Sequence, residues 1–273
     1  MKMAAAVLGV FLAILAVTAA LPEDHELMKV DPGPRYQYMS SPEGTELVDL
    51  AWKPSDLLEA AKYNVETQVF FHLFTRANPT VSQPLLLGVP HILAASNFDP
   101  SKKTVVIAHG WRNTPLHDFN VYLVHAYLQA EDINMIMVDW SIGAGALYIV
   151  AIANNIRTGE HVAKFITWLN SETGASLDNY HLIGHSLGGH QVGIIGRNLG
   201  GEVPYITCKC IFYLAESLIR GGFTGQRCDS LWQALTGNCA SSDTLPMGGT
   251  TAKPGATGIY YLTTNAQSPF SQG

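Results

Sequence analysis

Gly184-His185-Ser186-Leu187-Gly188 is a G-x-S-x-G run set between an apolar stretch and a helical pattern, the context in which a serine acts as a covalent nucleophile. A serine on a sharp turn from strand to helix carries its Oγ out beyond the carboxyl end of a sheet, where open α/β folds bind ligands. The turn imposes unfavourable backbone angles on the serine. It also brings strand and helix so close that residues two positions to either side must be small. Gly184 and Gly188 meet that need, and Gly189 adds room. An incidental serine in a glycine-rich turn is the competing reading, and the strand-turn-helix context argues against it.

A second piece fits the same chemistry. His109-Gly110-Trp111-Arg112 ends an earlier apolar run, where backbone N–H groups can face a developing oxyanion. The donors are expected to be the amides of Trp111 and Leu187. His109 is read as a core histidine that shapes the turn, because the donor role belongs to backbone amides. Asp139, in Val138-Asp139-Trp140, is read as a carboxylate capping a turn or helix. His185 and His190 flank the serine and are read as packing or hydrogen-bonding residues.

The rest of the catalytic apparatus is not found. With an elbow of this kind the chain order is serine, then acid, then histidine. After Ser186 the only histidine is His190, four residues into the helix that the elbow opens and directed along that helix's own face. The downstream acids, Glu202, Glu216, Asp229 and Asp243, stand in no recognisable acid motif. The nucleophile and oxyanion donors are therefore present without the triad Asp and His. Losing the base of a serine–histidine unit costs on the order of 10⁶ in turnover and leaves roughly 10³ to 10⁴ over water. Poor activity is expected.

These residues need elements to hold them. Gln68–Phe74 reads as a β-type run, Lys103–Gly110 as a buried strand, Met135–Trp140 as another and Tyr180–Gly184 as a third. Helical patterns lie between and after them, at Asp118–Gln129, Ala146–Leu169 and Gly189–Leu199. Strands alternating with helices at this spacing indicate βαβ units and a parallel sheet. After Thr207 the rhythm changes to a helix near Phe212–Ile219, a Gly/Cys-rich loop segment and a strand at Gly258–Thr263.

The chain has 273 residues, with 47% hydrophobic and 14% charged residues and a formal net charge of -6. Apolar content of this order excludes a disordered chain. The acidic balance offers no electrostatic footprint for nucleic acid. Lys2, the apolar stretch Met3–Val17 and Thr18-Ala19-Ala20 form a signal-peptide pattern over residues 1–20, in preference to a transmembrane anchor. No second hydrophobic span follows, so the protein is expected to be secreted. Residues 21–66 are polar and Pro-containing and read as an arm. All four cysteines lie in the last third: Cys228 and Cys239 could close a short loop, whereas Cys208 and Cys210 are too close for an easy disulfide to each other. No metal site is indicated, since no histidine follows His190 to complete one.

From about Val65 to Thr207 the chain resembles the animal pancreatic-lipase family of secreted lipases and phospholipases A1. The residues that carry the resemblance are Thr104-Val-Val-Ile-Ala-His-Gly-Trp111, Met137-Val-Asp-Trp-Ser141 and His181-Leu-Ile-Gly-His-Ser-Leu-Gly-Gly-His190 with Gly196-Arg197. In the tail they are Phe212–Leu218, Cys228 to Cys239, Met247-Gly248 and Gly258–Asn265. The resemblance implies an α/β-hydrolase-like, mostly parallel sheet with flanking helices, in a single domain over residues 67–273. It implies a lipid ester substrate or lipid surface as partner, and no cofactor.

One departure matters. In that family the strand ending Arg-Ile-Thr continues into Gly-Leu-Asp-Pro-Ala, which holds the triad acid, and the triad His lies in a Cys-x-His segment. Here Pro204-Tyr-Ile-Thr207 runs directly into Cys208-Lys-Cys210. Measured against the family, strands and loops are absent between Thr207 and Cys208, including the lid and a substrate-binding loop. Two functions follow as expectations. One is a secreted carboxylic ester hydrolase, of lipase or phospholipase A1 type, that is poorly active in this form. The other is a non-catalytic secreted homologue that binds lipid or protein on the same scaffold.

Overall fold

The structure is a computed structural model that describes residues 35–208, 216–230, 233–234, 237–251, 253, 256–265, 269 and 271–272. The signal-peptide pattern, Cys210 and the first half of the helix expected near Phe212–Ile219 lie outside the described residues, while residues 216–219 of that helix are helical. The chain forms two compact units that divide after Ala51.

In the first unit, β1 (Tyr36–Ser41) and β2 (Gly44–Asp49) pair as an antiparallel hairpin. Arg35 grips the Asp49 carboxylate through Nε at 2.8 Å and Nη2 at 2.7 Å. Residues 21–66, expected to run as an arm, thus contain a hairpin, and their last part belongs to the second unit. There α1 (Pro54–Lys62) starts on a proline, and Asp56 accepts the Lys53 N–H at 2.8 Å. The helix α2 (Val65–Gln68) follows, with Asn64 as its cap.

The large sheet is built from β3 (Phe70–Phe74), β4 (Gln83–Leu85), β5 (Thr104–Ala108), β6 (Asn134–Asp139), β7 (Tyr180–Gly184) and β8 (Tyr205–Cys208), in the order β4-β3-β6-β5-β7-β8. The strands β5 to β8 run parallel, and β3 is antiparallel to both β6 and β4. Between them run α3 (Pro90–Ala94), α4 (Asp118–Ala130), α5 (Ser141–Ala144), α6 (Tyr148–Thr173) and α7 (Leu187–Asn198). This mostly parallel sheet with flanking helices is the α/β-hydrolase-like arrangement expected from the resemblance.

Strands covered on both faces must be apolar throughout, and β5 and β7 are buried at every position. On one face, Leu123, Val124 and Tyr127 of α4 pack on Val105, Ile107, Met135 and Met137. Phe165 of α6 stacks on Phe71 of β3 with ring centroids 3.7 Å apart. The long helix α6 stops where Gly174 takes a left-handed conformation, φ 75°. Beyond β8, a small antiparallel sheet sets β9 (Thr224–Cys228) between β10 (Thr244–Pro246) and β11 (Ile259–Tyr261). A Cys228–Cys239 disulfide ties the end of β9 to the loop that follows. Among the described residues no helix is long and apolar enough to cross a membrane.

Candidate active site

Strand register decides which residues meet. Ala108 of β5 lies level with Val138 of β6 and with Gly184 of β7. The segments that leave these strands therefore gather Gly110-Trp111, Asp139 and His185-Ser186 at one end of the sheet. The chain goes from β5 to β6 on one side and from β6 to β7 on the other, so its direction of winding reverses beside β5, where open α/β sheets form their crevice.

Ser186 stands between the end of β7 and the first residue of α7 with φ 53° and ψ -120°. That conformation is strained for a residue with a Cβ. The neighbouring glycines make it possible. A Cβ on Gly184 would collide with the Gly188 carbonyl, and one on Gly188 with the Ala108 carbonyl. A Cβ on Gly110 would lie 2.8 Å from that of Ser186, so three backbones converge here with no room for side chains. The Ser186 side chain is exposed.

The two expected oxyanion donors sit on either side of this convergence. Leu187 is the first residue of α7, so its N–H has no acceptor within the helix and lies at the positive end of the helix dipole. Trp111 is buried, with its indole Nε1 donating to Ala146 O at 2.9 Å and its ring edge-on to Tyr148. The next residue, Arg112, is the other non-glycine at positive φ among the described residues, 51°. Its N–H donates to Ala144 O at 3.0 Å, and its guanidinium lies 4.7 Å from the Trp111 ring centroid.

Two neighbouring asparagines of α6 support these segments. Asn155 Nδ2 donates to Leu187 O at 3.0 Å, and Gln191 Nε2 donates to Asn155 Oδ1 at 2.8 Å. Asn154 Nδ2 donates to Gly143 O at 3.2 Å. Adjacent polar amides inside an otherwise apolar helical stretch were a visible signal in the sequence, yet neither asparagine stands out there as a site residue.

The histidines divide by environment. His109 is fully buried, with Nδ1 3.0 Å from Gly110 O and Nε2 facing the Trp140 N–H at 3.4 Å. The carbonyl can only accept, so Nδ1 is the nitrogen that donates. Burial, and then the proximity of His109 and His117, pushes His185 down to about 4. A proton held that weakly suits a packed neutral ring at pH 7. His190 stands exposed on α7.

Asp139 stands just before Trp140, the N-cap of α5, and accepts the Ser141 N–H at 3.0 Å and the Ser141 hydroxyl. It also lies 3.7 Å from His72 Nε2 and 3.9 Å from His109 Nε2. Burial alone would raise its pKa. The His109 and His72 rings beside it and the bonds from Ser141 outweigh that and hold the carboxyl well below the usual range. His72, on β3, was not legible as part of this group, because its partner comes from an antiparallel neighbour distant in sequence.

Among the described residues no hydrogen bond reaches Ser186 Oγ from a histidine. Glu202 and Asp229 are exposed, Asp243 lies 3.6 Å from Arg227, and Glu216 accepts the Ser271 N–H at 2.7 Å. Cys208 is a free, exposed thiol whose Sγ lies 3.5 Å from Gly189 O. Among the described residues no group of three His, Cys, Asp or Glu could hold a metal ion.

The Lipase family profile matches residues 48–209, more than half the chain. Human pancreatic lipase-related protein 2 is 35% identical over 155 residues, 57% of this chain and 33% of its own length. Pancreatic triacylglycerol lipase of Myocastor coypus is 35% identical over 158 residues, 58% of this chain and 32% of its own. The mouse inactive pancreatic lipase-related protein 1 is 38% identical over 152 residues, 55% and 32%. The chain thus spans about a third of the length of the curated relatives it matches. The elbow, the sheet that carries it and the extent of the match agree, and the chain belongs to the lipase family.

Proposed function

We propose that this chain is a secreted serine hydrolase of lipid carboxylic esters, of lipase or phospholipase A1 type, with low turnover in the present form. Ser186 Oγ attacks the ester carbonyl and loses its proton to solvent water, and the oxyanion is received by the Trp111 and Leu187 amides. Collapse of the tetrahedral intermediate breaks the ester C–O bond and releases the alcohol, protonated from water. It leaves an acyl-serine that water hydrolyses. The observation that carries this reading is the strained backbone of Ser186, φ 53° and ψ -120°. Strain of this kind is retained where the surrounding structure imposes it and is concentrated at functional sites.

A lipid substrate is supported by the loops around the nucleophile. Leu116 follows β5, and Ile142 and Leu147 follow β6, so all three leave the sheet at the Ser186 end. They are 82%, 56% and 65% exposed, an apolar rim suited to contact with an acyl surface. The signal-peptide pattern at residues 1–20 supports secretion. Low turnover follows from the missing Asp and His, on the reading that residues 67–273 form one domain shortened between Thr207 and Cys208.

A second reading, a non-catalytic lipid- or protein-binding homologue, is favoured by the lack of a histidine bonded to Ser186 Oγ among the described residues. One relative is itself named inactive. Hydrolysis of a short-chain p-nitrophenyl ester by the full chain, compared with Ser186→Ala, separates the two. A rate above the alanine variant supports the hydrolase. Equal rates leave the binder.

A further inference from the structure

We propose that Asn154 and Asn155, adjacent on α6, are positioning residues that hold the two oxyanion donors at a fixed separation. The inference rests on the reading of Ser186 as an acyl-transfer nucleophile and concerns how that site is kept in register. Asn155 is buried and its amide is oriented from both sides. Gln191 Nε2 donates to Oδ1, so Nδ2 is the group that meets Leu187 O. Leu187 is the residue whose N–H faces the oxyanion, so Asn155 fixes one donor through its own residue.

Asn154 reaches the other donor through one intermediate. It holds Gly143 O, the next residue's carbonyl accepts the Arg112 N–H, and Ala146 O accepts the Trp111 indole N–H. The 143–146 segment is therefore a saddle under Trp111, and Asn154 fixes the saddle to α6. Two consecutive side chains of one rigid helix thus anchor donors that come from different strands. Catalysis by preorganised amides depends on their placement to well within an ångström, and a shared helix supplies a common frame.

The test uses the full chain with Asn155→Ala, Asn154→Ala and a control, Thr158→Ala. Thr158 is as deeply buried on the same helix and bonds Tyr63 and Asn154 O, not the donor segments. Two readouts are taken. One is the backbone ¹H–¹⁵N resonances of Trp111 and Leu187. The other is phosphonylation of Ser186 by a p-nitrophenyl alkylphosphonate, resolved into kinact and KI.

Asn155→Ala is expected to shift the Leu187 amide and lower kinact about tenfold or more with KI little changed. Asn154→Ala is expected to shift the Trp111 amide with a smaller loss. Thr158→Ala should lower Tm while leaving both amides and kinact in place. Unmoved Leu187 and Trp111 amides in the asparagine variants overturn the proposal. If those amides move while wild-type Ser186 is labelled no faster than Ser186→Ala, positioning stands and the acyl-transfer reading falls. Should Asn155→Ala fail to fold, the near-isosteric Asn155→Leu carries the same two readouts.

Discussion

The α-carbon of Gly188 faces the carbonyl of Ala108 so closely that a β-carbon there would occupy the carbonyl's own space. This contact joins the helix that follows Ser186 to the central strand β5, and it sets the depth at which Ser186 sits over the sheet. Neither partner can yield, since both are backbone held by regular hydrogen bonding.

Gly188→Ala is therefore expected to cost about 3 kcal/mol or more, at the upper end for overpacking. Gly193, on the same helix, has nothing within 4 Å of the position a methyl group would take. Gly193→Ala should be neutral or stabilising by up to about 1 kcal/mol, as for a glycine inside a helix. Chemical unfolding of the two variants side by side checks the contrast. Equal effects would mean that the elbow relaxes where the geometry says it cannot.

Stability should fall on acidification through the buried histidines. His181 lies under Tyr205, ring centroids 4.0 Å apart, with Nε2 2.8 Å from Thr207 Oγ1. Burial, then Lys103 and Lys253, pushes it down to about 3. The unfolded chain takes up a proton near its ordinary value of about 6.5 while the folded chain refuses it. The contribution is thus full above 6.5 and is lost as pH falls from there towards 3, at up to about 1.4 kcal/mol per pH unit for one proton. His185, down to about 4, acts in the same sense, and Asp139 adds its loss only below the ordinary carboxylate range. His181→Gln should flatten the profile between pH 6 and pH 4 by roughly one proton. An unchanged slope would show that His181 does not carry it.

On the proposed reading, a serine nucleophile without its histidine and acid should respond to a base supplied from solution. Added imidazole is expected to accelerate ester hydrolysis by the wild-type chain in proportion to its free base, and to raise Ser186→Ala no further than the rate in buffer. Parallel lines for the two proteins would remove Ser186 from the reaction.

The apolar rim makes a separate prediction. Leu116→Ser with Leu147→Ser should weaken sedimentation with phosphatidylcholine vesicles about tenfold, because two largely exposed leucines would lose their burial in acyl chains. Hydrolysis of a soluble ester should be unaffected. Vesicle binding that survives both changes would place the lipid contact elsewhere.

The central strands were legible in the sequence because burial on both faces leaves continuous apolar runs. Tyr180–Gly184 forms a strand at the expected bounds. The long helix starts at Tyr148 and persists to Thr173, past the expected Leu169, because the stop is the conformation of Gly174 and not a change in polarity. The strands β4, β9 and β10 were not legible. They are short, and Thr224–Cys228 is mostly polar, so pairing with distant neighbours defines them more than any pattern of their own. Within 21–66, α1 was hidden for a related reason. It is held to α6 by Arg157 Nη1 donating to Ala60 O at 2.8 Å, and the Tyr63 hydroxyl just beyond it meets Thr158 Oγ1 at 3.0 Å. Ala60 packs against Ile149 and Val150, but Leu57 and Leu58 are exposed, so the larger apolar residues of α1 do not mark the face that it buries.

The position of β5 bears on the order of assembly during translation. Both of its sheet neighbours are made after it, β6 soon and β7 only once residue 180 has been added. At ordinary elongation rates of roughly 5–20 residues per second, one edge of Thr104–Ala108 stays bare for several seconds on the ribosome. The strand that closes that edge also delivers Ser186, so the residue comes to its strained place in the same event that seals the nascent sheet.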